Sequence, residues 1–303
     1  MTSGRGRNVG ASVRARLGNL ARDQGVAFDY LLNRYAVERL LHRLSCSPYR
    51  DSFVLKGATL LRLWSASSFR PTRDVDLLGF GPSDLDDVAR RVREICDTSV
   101  PDDGISFRGD TIVATRIKDD AEYEGVRVRL QAELAGARIP VQIDVGFGDA
   151  VQPREDSYPV LLEDFAAPDL RIYPREAVVA EKVQAMVDLG LANSRMKDFW
   201  DVQQLARAFD FDGADMLDAL RATFERRRTP VPERTPACLT AAFSADPDKH
   251  KQWTAFLKRT SLPVAPLPQV IDDVSRFVLP LFEAVHDGPE LAGWDPGGPW
   301  RRR

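Results

Sequence analysis

Strand-like alternation is confined to the first half of this 303-residue chain, and helical spacing takes over after about residue 165. A chain patterned this way divides into a part with a mixed sheet and a part built from helices. The short apolar run Phe53-Val54-Leu55 is followed by strand candidates at Asp74 to Phe80, Thr111 to Ile117, Val126 to Leu134 and Pro140 to Phe147. A helix is predicted between them from Leu85 to Cys96, and the third of these strands alternates cleanly: Val126, Val128 and Leu130 share one face, Arg127, Arg129 and Gln131 the other. Upstream, Val13, Leu17 and Leu20 recur at helical spacing. A second helix, Phe28 to Leu44, sets an apolar face of Leu31, Leu32, Tyr35, Leu40 and Leu41 against a polar one of Arg34, Glu38 and Arg39.

Downstream, helices are predicted at Pro174 to Gly190, Lys197 to Phe209, Gly213 to Arg227, Asp248 to Lys258 and Pro268 to Val285, with proline-rich linkers between. The expected organisation is bilobed: an α/β (α+β) lobe with a mixed sheet over 1–165, an all-helical lobe over 166–286, and a flexible Gly/Pro/Arg tail over 287–303. Residues 1–8 also read as a tail.

Composition narrows the chemistry. With 44% hydrophobic and 29% charged residues the chain can bury a sizeable core. The N-terminus lacks a secretion-type apolar stretch, and no later run reaches membrane-spanning length, so a cytoplasmic protein is expected. Cys46, Cys96 and Cys238 are too few and too scattered for a disulfide framework or a cysteine zinc site and read as buried fillers. His42, His250 and His286 stand singly, which argues against a histidine metal site or a Ser-His-Asp triad. Any chemistry therefore falls to carboxylates and lysines. A formal charge of -3 rules out a uniformly basic surface but leaves the clusters at Arg14, Arg16, Arg34 and Arg226-Arg227-Arg228, either solvated faces or grips for RNA phosphates.

The strongest local signal is Lys56-Gly57-Ala58 at the end of an apolar run, with Asp74-Val75-Asp76 on a strand shortly after it. Residues two apart on a strand face the same side, so both carboxylates can address one divalent ion. Magnesium takes hard oxygen ligands, commonly one or two carboxylates plus substrate phosphates. Gly57 permits a positive φ and close approach by a phosphate, and the helix start after it offers unpaired N–H groups. Taken singly, Gly57 is a strand-to-helix turn and the two acids are an exposed strand edge; their order and spacing favour a nucleotide site. A third carboxylate is expected for two-metal chemistry, and Asp144, flanked by Ile143 and Val145 where strands disfavour aspartate, is the candidate, the alternative being a structural acid at a strand end. Asp149 reads as a turn residue.

Lys182 sits within an apolar stripe of Val178, Ala185, Met186 and Leu189. Burying its ammonium requires a triphosphate or an aspartate as partner, unless the side chain snorkels to the surface. In Lys197-Asp198-Phe199-Trp200-Asp201 two acids lie three apart near a helix start, fit for a salt-bridge network with Arg195 and Lys197 or for orienting a nucleotide.

The ordered set Lys56-Gly57, Arg70-Pro71-Thr72-Arg73-Asp74-Val75-Asp76, Ile143-Asp144-Val145, Ala180-Glu181-Lys182 and Lys197-Asp198-Phe199-Trp200-Asp201 resembles the AbiEii/AbiGii nucleotidyltransferase toxins. These are the toxin halves of type IV toxin-antitoxin and abortive-infection systems, including the MenT-like enzymes, within the DNA polymerase β-type superfamily. The resemblance spans about residues 28–210. It implies an active site between two lobes, with Asp74, Asp76 and Asp144 holding magnesium, two ions during turnover. It also implies that Lys56, Gly57, Ala58, Thr72 and Lys182 meet the nucleotide, and that Asp198 or Asp201 completes the second lobe's contribution. The implied reaction transfers a nucleotide, often a pyrimidine, from an NTP to the 3′ end of tRNA or another RNA, under control of a cognate antitoxin and away from any membrane. Ala58 departs from the second Gly or Ser common in the superfamily. Thr72 stands where relatives carry Ser or Thr and is either a target for inactivating phosphorylation or a strand-entry residue. The competing expectations are nucleotide transfer onto a protein side chain and an NTP-binding regulatory module without turnover.

Overall fold

The computed structural model describes residues 8–64, 72–117, 125–149, 151–260, 262–263, 265–286 and 288–302. Two compact units result. The first takes the described residues up to Ile172 except Asp149, Val151 and Gln152, which join the second with Tyr173 onward. The change falls later than the expected residue 165 because Leu170 and Ile172 still belong to a strand of the first unit's sheet.

In the first unit the order is α1 (Val9–Gln24), α2 (Phe28–Cys46), β1 (Phe53–Lys56), α3 (Gly57–Trp64), β2 (Asp74–Gly79), α4 (Leu85–Cys96), β3 (Ile105–Ile117), β4 (Gly125–Leu134), β5 (Ala137–Phe147), β6 (Arg154–Ser157) and β7 (Asp169–Ile172). These strands form one seven-stranded mixed sheet in the order β3-β4-β5-β2-β1-β7-β6. β2 runs parallel to β5 and antiparallel to β1, and β1 runs parallel to β7. A two-residue turn, Ala135-Gly136, closes the β4–β5 hairpin; both residues have positive φ, 45° and 78°, as the twist of such a turn requires.

α1 begins on Asn8, whose side chain accepts from the Ala11 N–H at 3.0 Å, and buries Val13, Leu17 and Ala21 one turn apart. α2 differs from expectation. Its supposed polar face is buried, with Glu38 at 0% and Arg39 at 1% exposure, because α2 is packed by α1, α4, β5 and β7 on all sides. Both groups are partnered there: Arg39 lies 2.9 Å from Glu38 and donates to the Ala166 carbonyl, and Glu38 accepts the Leu161 N–H at 2.7 Å, although burial still pushes the Glu38 carboxyl up to about 7. Arg43 grips Asp103 through two bonds of 2.7 and 3.0 Å. Cys96 and Cys238 are buried as expected, whereas Cys46, at the end of α2, is exposed.

The second unit comprises α5 (Arg175–Leu189), α6 (Met196–Ala208), β8 (Phe211–Asp212), α7 (Gly213–Arg226), α8 (Ala241–Ala245), α9 (Pro247–Thr260), α10 (Leu267–Val285), β9 (Leu291–Trp294) and β10 (Trp300–Arg302). It is mainly helical, but the expectations of an all-helical lobe and of a flexible tail over 287–303 are both corrected. β8, β9 and β10 form a three-stranded antiparallel sheet. Trp294 and Trp300 hold it down: their indole N–H groups donate to the carbonyls of Ala206 and Phe277 at 2.6 and 2.8 Å, and Trp300 stacks on Phe277. Buried indoles that find acceptors are an effective anchor for such short strands. Among the described residues no helix is long and apolar enough to cross a membrane.

Candidate active site

Strand register assembles the first unit's site. β2 lies between β1 and β5, so Lys56 is opposite Asp76 and Asp76 is opposite Asp144; β4, on the far side of β5, places Arg127 opposite Asp144. One row across four strands therefore reads Lys56, Asp76, Asp144, Arg127, two acids between two bases. Asp74 stands two residues before Asp76 on the same face and pairs in register with Gln142. Residues that lie far apart in sequence are brought into neighbouring positions by pairing alone.

The row is locally braced. The Arg127 guanidinium holds the Asp144 carboxylate with bonds of 2.8 and 2.7 Å, leaving it 18% exposed. That fork fixes the orientation of Asp144, while a carboxylate retains further lone pairs for another ligand. The Lys56 ammonium reaches over Gly146, where an added Cβ would stand 3.3 Å from Nζ. Thr59 in α3 donates to the Asp74 carbonyl at 2.6 Å, tying the start of β2 to the helix that follows β1.

Gly57 is required twice over. Its φ is +71°, and a Cβ there would fall 1.9 Å from Asp76 Oδ2, so the Asp76 side chain lies against the bare Cα. This brings the carboxylate against the first turn of α3, whose leading N–H groups lack helical acceptors. Ala58 is buried, so its side chain serves the core and its backbone the turn. Gly57→Ala is expected to displace Asp76 and to cut catalysis by about 10²-fold, the scale of an ångström-sized misplacement. Pyrophosphate release alongside a thermal melt checks this; an active Gly57→Ala variant with an unchanged melt contradicts the packing argument.

Sequence reasoning assigned no role to Arg127. The signal was present in the hairpin: counting outward equally from Ala135-Gly136 brings Arg127 opposite Asp144. Thr72 is half-buried just before β2, and Arg70 and Pro71 of the same motif lie outside the described residues.

The remaining expected residues form a separate cluster in the second unit. Lys182 of α5 donates from Nζ to Asp198 Oδ1 at 2.8 Å and to Asp201 Oδ2 at 2.9 Å, both acids on α6 and both wholly buried. Arg195 adds a 2.6 Å bond to the other oxygen of Asp198. Burial alone would raise the Asp198 pKa, but Lys182 and Arg195 outweigh it and hold the carboxyl down at about 2. Lys182 thus stands in its apolar stripe with its charge met by aspartates, and the trio pins α5 to α6.

Of the expected RNA-binding arginines, Arg16 pairs with Asp164, Arg14 donates to the Ala135 carbonyl, and Arg227 bonds Gln184 and faces Asp149 and Glu181. Among the described residues no three His, Cys, Asp or Glu side chains converge as a ready-made metal cage. The row still fits magnesium. It offers hard oxygens from two carboxylates on one strand face and a third on the neighbouring strand, as suits an ion that completes its shell with water and phosphate.

No curated protein matches the chain. Two solved structures resemble it. One is a Helicobacter pylori protein provisionally assigned as a nucleotidyltransferase, 18% identical, with 86% of this chain and 98% of that one covered and a TM-score of 0.49. The other is JHP933 from the same organism, also 18% identical, covering 82% and 90% with a TM-score of 0.46. The model of the AbiEii nucleotidyl transferase toxins of type IV toxin-antitoxin systems matches residues 39–285, a span containing the charged row, Gly57 and the Lys182 cluster. The chain belongs to the AbiEii nucleotidyltransferase toxin family.

Proposed function

We propose that this toxin transfers a nucleoside monophosphate, a pyrimidine by preference, from an NTP to the 3′ end of tRNA in the cytoplasm, so blocking translation. The observation that carries the reading is the row Lys56, Asp76, Asp144, Arg127 closed on one side by Gly57. Asp74, Asp76 and Asp144 would hold magnesium, which when bound supplies Lewis-acid stabilisation of the attacking and leaving oxygens.

The protein's own groups do the rest. The Gly57 turn and the start of α3 present N–H groups to the triphosphate, with Lys56, Ala58 and Thr72 around them. The RNA 3′-oxygen forms a bond to the α-phosphorus as the bond to the pyrophosphate oxygen breaks, and the hydroxyl proton leaves toward the carboxylate side of the row. Arg127 keeps Asp144 in one orientation throughout. In this reading Lys182, held by Asp198 and Asp201, would be a further contact to the nucleotide. The family also implies an antitoxin that silences this site.

The test is incubation of the purified protein with magnesium, each labelled NTP separately and total tRNA, reading label on RNA and on protein. Label on RNA establishes the reaction and names the nucleotide. Label on protein alone would replace RNA by a side-chain acceptor, and tight NTP binding without pyrophosphate release would leave a regulatory module.

A further inference from the structure

The sheet face that carries the carboxylates does not end with them. One step along the strands, a second row reads Arg129, Gln142, Asp74, and Arg129 donates to the Gln142 side chain at 3.1 Å. This row forms part of a cleft of about 480 Å³ within the first unit, lined also by Arg73, Arg138 and Asn33. Asp74 belongs both to the cleft and to the carboxylate pair, so an occupant of the cleft has one end at the reacting centre.

Two features of the cleft and one beside it specify its occupant. Arg73 and Arg138 are exposed and have no hydrogen bond or ion pair among the described residues, so with Arg129 they present guanidinium edges to an anion. Asn33 is 5% exposed; its amide nitrogen donates to the Pro140 carbonyl at 3.0 Å, which fixes the orientation of the amide and leaves Oδ1 buried without a donor. An unsatisfied buried acceptor costs about 1–3 kcal/mol unless a ligand donates to it. Beside Arg129 across β3 and β4 lies Val113, 59% exposed, an apolar surface next to a cation. Phosphate anions, a hydrogen-bond donor and a flat apolar group occur together in a nucleotide strand.

We infer that this cleft seats the 3′-terminal nucleotides of the acceptor RNA, with backbone phosphates on Arg129 and Arg138 and a ribose hydroxyl or base amino group donating to Asn33 Oδ1. The inference rests on the transfer reading above and supplies the acceptor side of it. It also explains why a chain of net charge -3 can bind RNA: the cations are concentrated where the strand enters.

The experiment measures binding of a short fluorescein-labelled single-stranded RNA to the full chain by anisotropy over a salt series, without NTP. Binding of a fluorescent NTP with magnesium is measured in parallel. Arg129→Ala with Arg138→Ala, both on exposed positions, is expected to weaken RNA binding tenfold or more and to flatten the logarithmic salt slope by about 0.7 per lost contact, with NTP binding and the melt unchanged. Asn33→Leu, checked for folding by its melt, is expected to weaken RNA binding at an unchanged salt slope. RNA affinity unaffected by the double variant would overturn the inference while leaving the transfer reaction intact. Equal loss of NTP binding would also overturn it, assigning the cleft to the nucleotide. Loss of RNA binding in a protein whose wild type labels no acceptor would sink the proposed function and keep the cleft.

Discussion

Asp76→Ala is expected to lower the rate of nucleotidyl transfer by about 10³-fold or more, the scale of losing several kcal/mol of metal-borne stabilisation at the reacting phosphate. Asp76 has this weight because of where it stands: its carboxylate lies against the bare Cα of Gly57 on one side and its strand position neighbours Asp144 on the other. The same geometry predicts little effect on stability. Like charges on directly neighbouring strand positions repel and opposite charges attract by a few tenths to about 1 kcal/mol, and Asp76 has Asp144 on one side and Lys56 on the other. The near-isosteric Asp76→Asn variant should therefore melt close to the wild-type temperature while transferring almost no label. Single-turnover kinetics with a labelled NTP, run beside differential scanning calorimetry, separates the two. A variant that loses activity in proportion to a lowered melting temperature would show Asp76 to be structural.

The second large effect is expected at Lys182. Its ammonium compensates two carboxylates of 0% exposure, so Lys182→Met strands buried negative charge, at a cost of about 3–5 kcal/mol. The melting temperature should fall by on the order of 10 °C. Adding Asp198→Asn and Asp201→Asn to Lys182→Met should recover most of that loss, since the buried charge goes with its partner.

Acid provides an independent check. Asp198 has a folded pKa of about 2 against an ordinary 3.8, so its ionised form contributes stability above about pH 4 that disappears as the pH falls toward 2. In Lys182→Met that acid-labile contribution should be gone, and stability should instead rise on acidification as a stranded carboxylate takes up a proton. A wild-type melt that is flat from pH 4 to 2 would contradict the ion-cluster assignment. Transfer by Lys182→Met at a temperature where it remains folded reports whether the ammonium also meets the nucleotide.

Much of the molecule could be read before its structure. The alternation around Val126 to Leu130 located β4 and the face of Arg127; the spacing of Asp74 and Asp76 put two carboxylates on one side of β2; and Lys56-Gly57-Ala58 marked the turn into α3. These are local properties, set by a two-residue strand period and by the conformations that only glycine adopts readily. The burial of Glu38 and Arg39 was not legible, because a helix surrounded on all sides violates the rule that charge marks the wet face, and only the partners at Leu161 and Ala166 make the exception affordable.

Nor were the strands near the C-terminus legible. β9 and β10 are four and three residues long, interrupted by Gly and Pro, and exist because distant carbonyls at Ala206 and Phe277 receive their indoles. The sequence by itself determined the helices and central strands of the first unit, though not β6 and β7, and with them the site's glycine and the faces its acids occupy. Only the tertiary structure decided that Asp144 stands beside Asp76, that Arg127 holds it and that Lys182 is answered by Asp198 and Asp201. Pairing between strands or helices depends on which distant segment arrives as neighbour, and that is settled by the packing of the whole core rather than by any local run of residues.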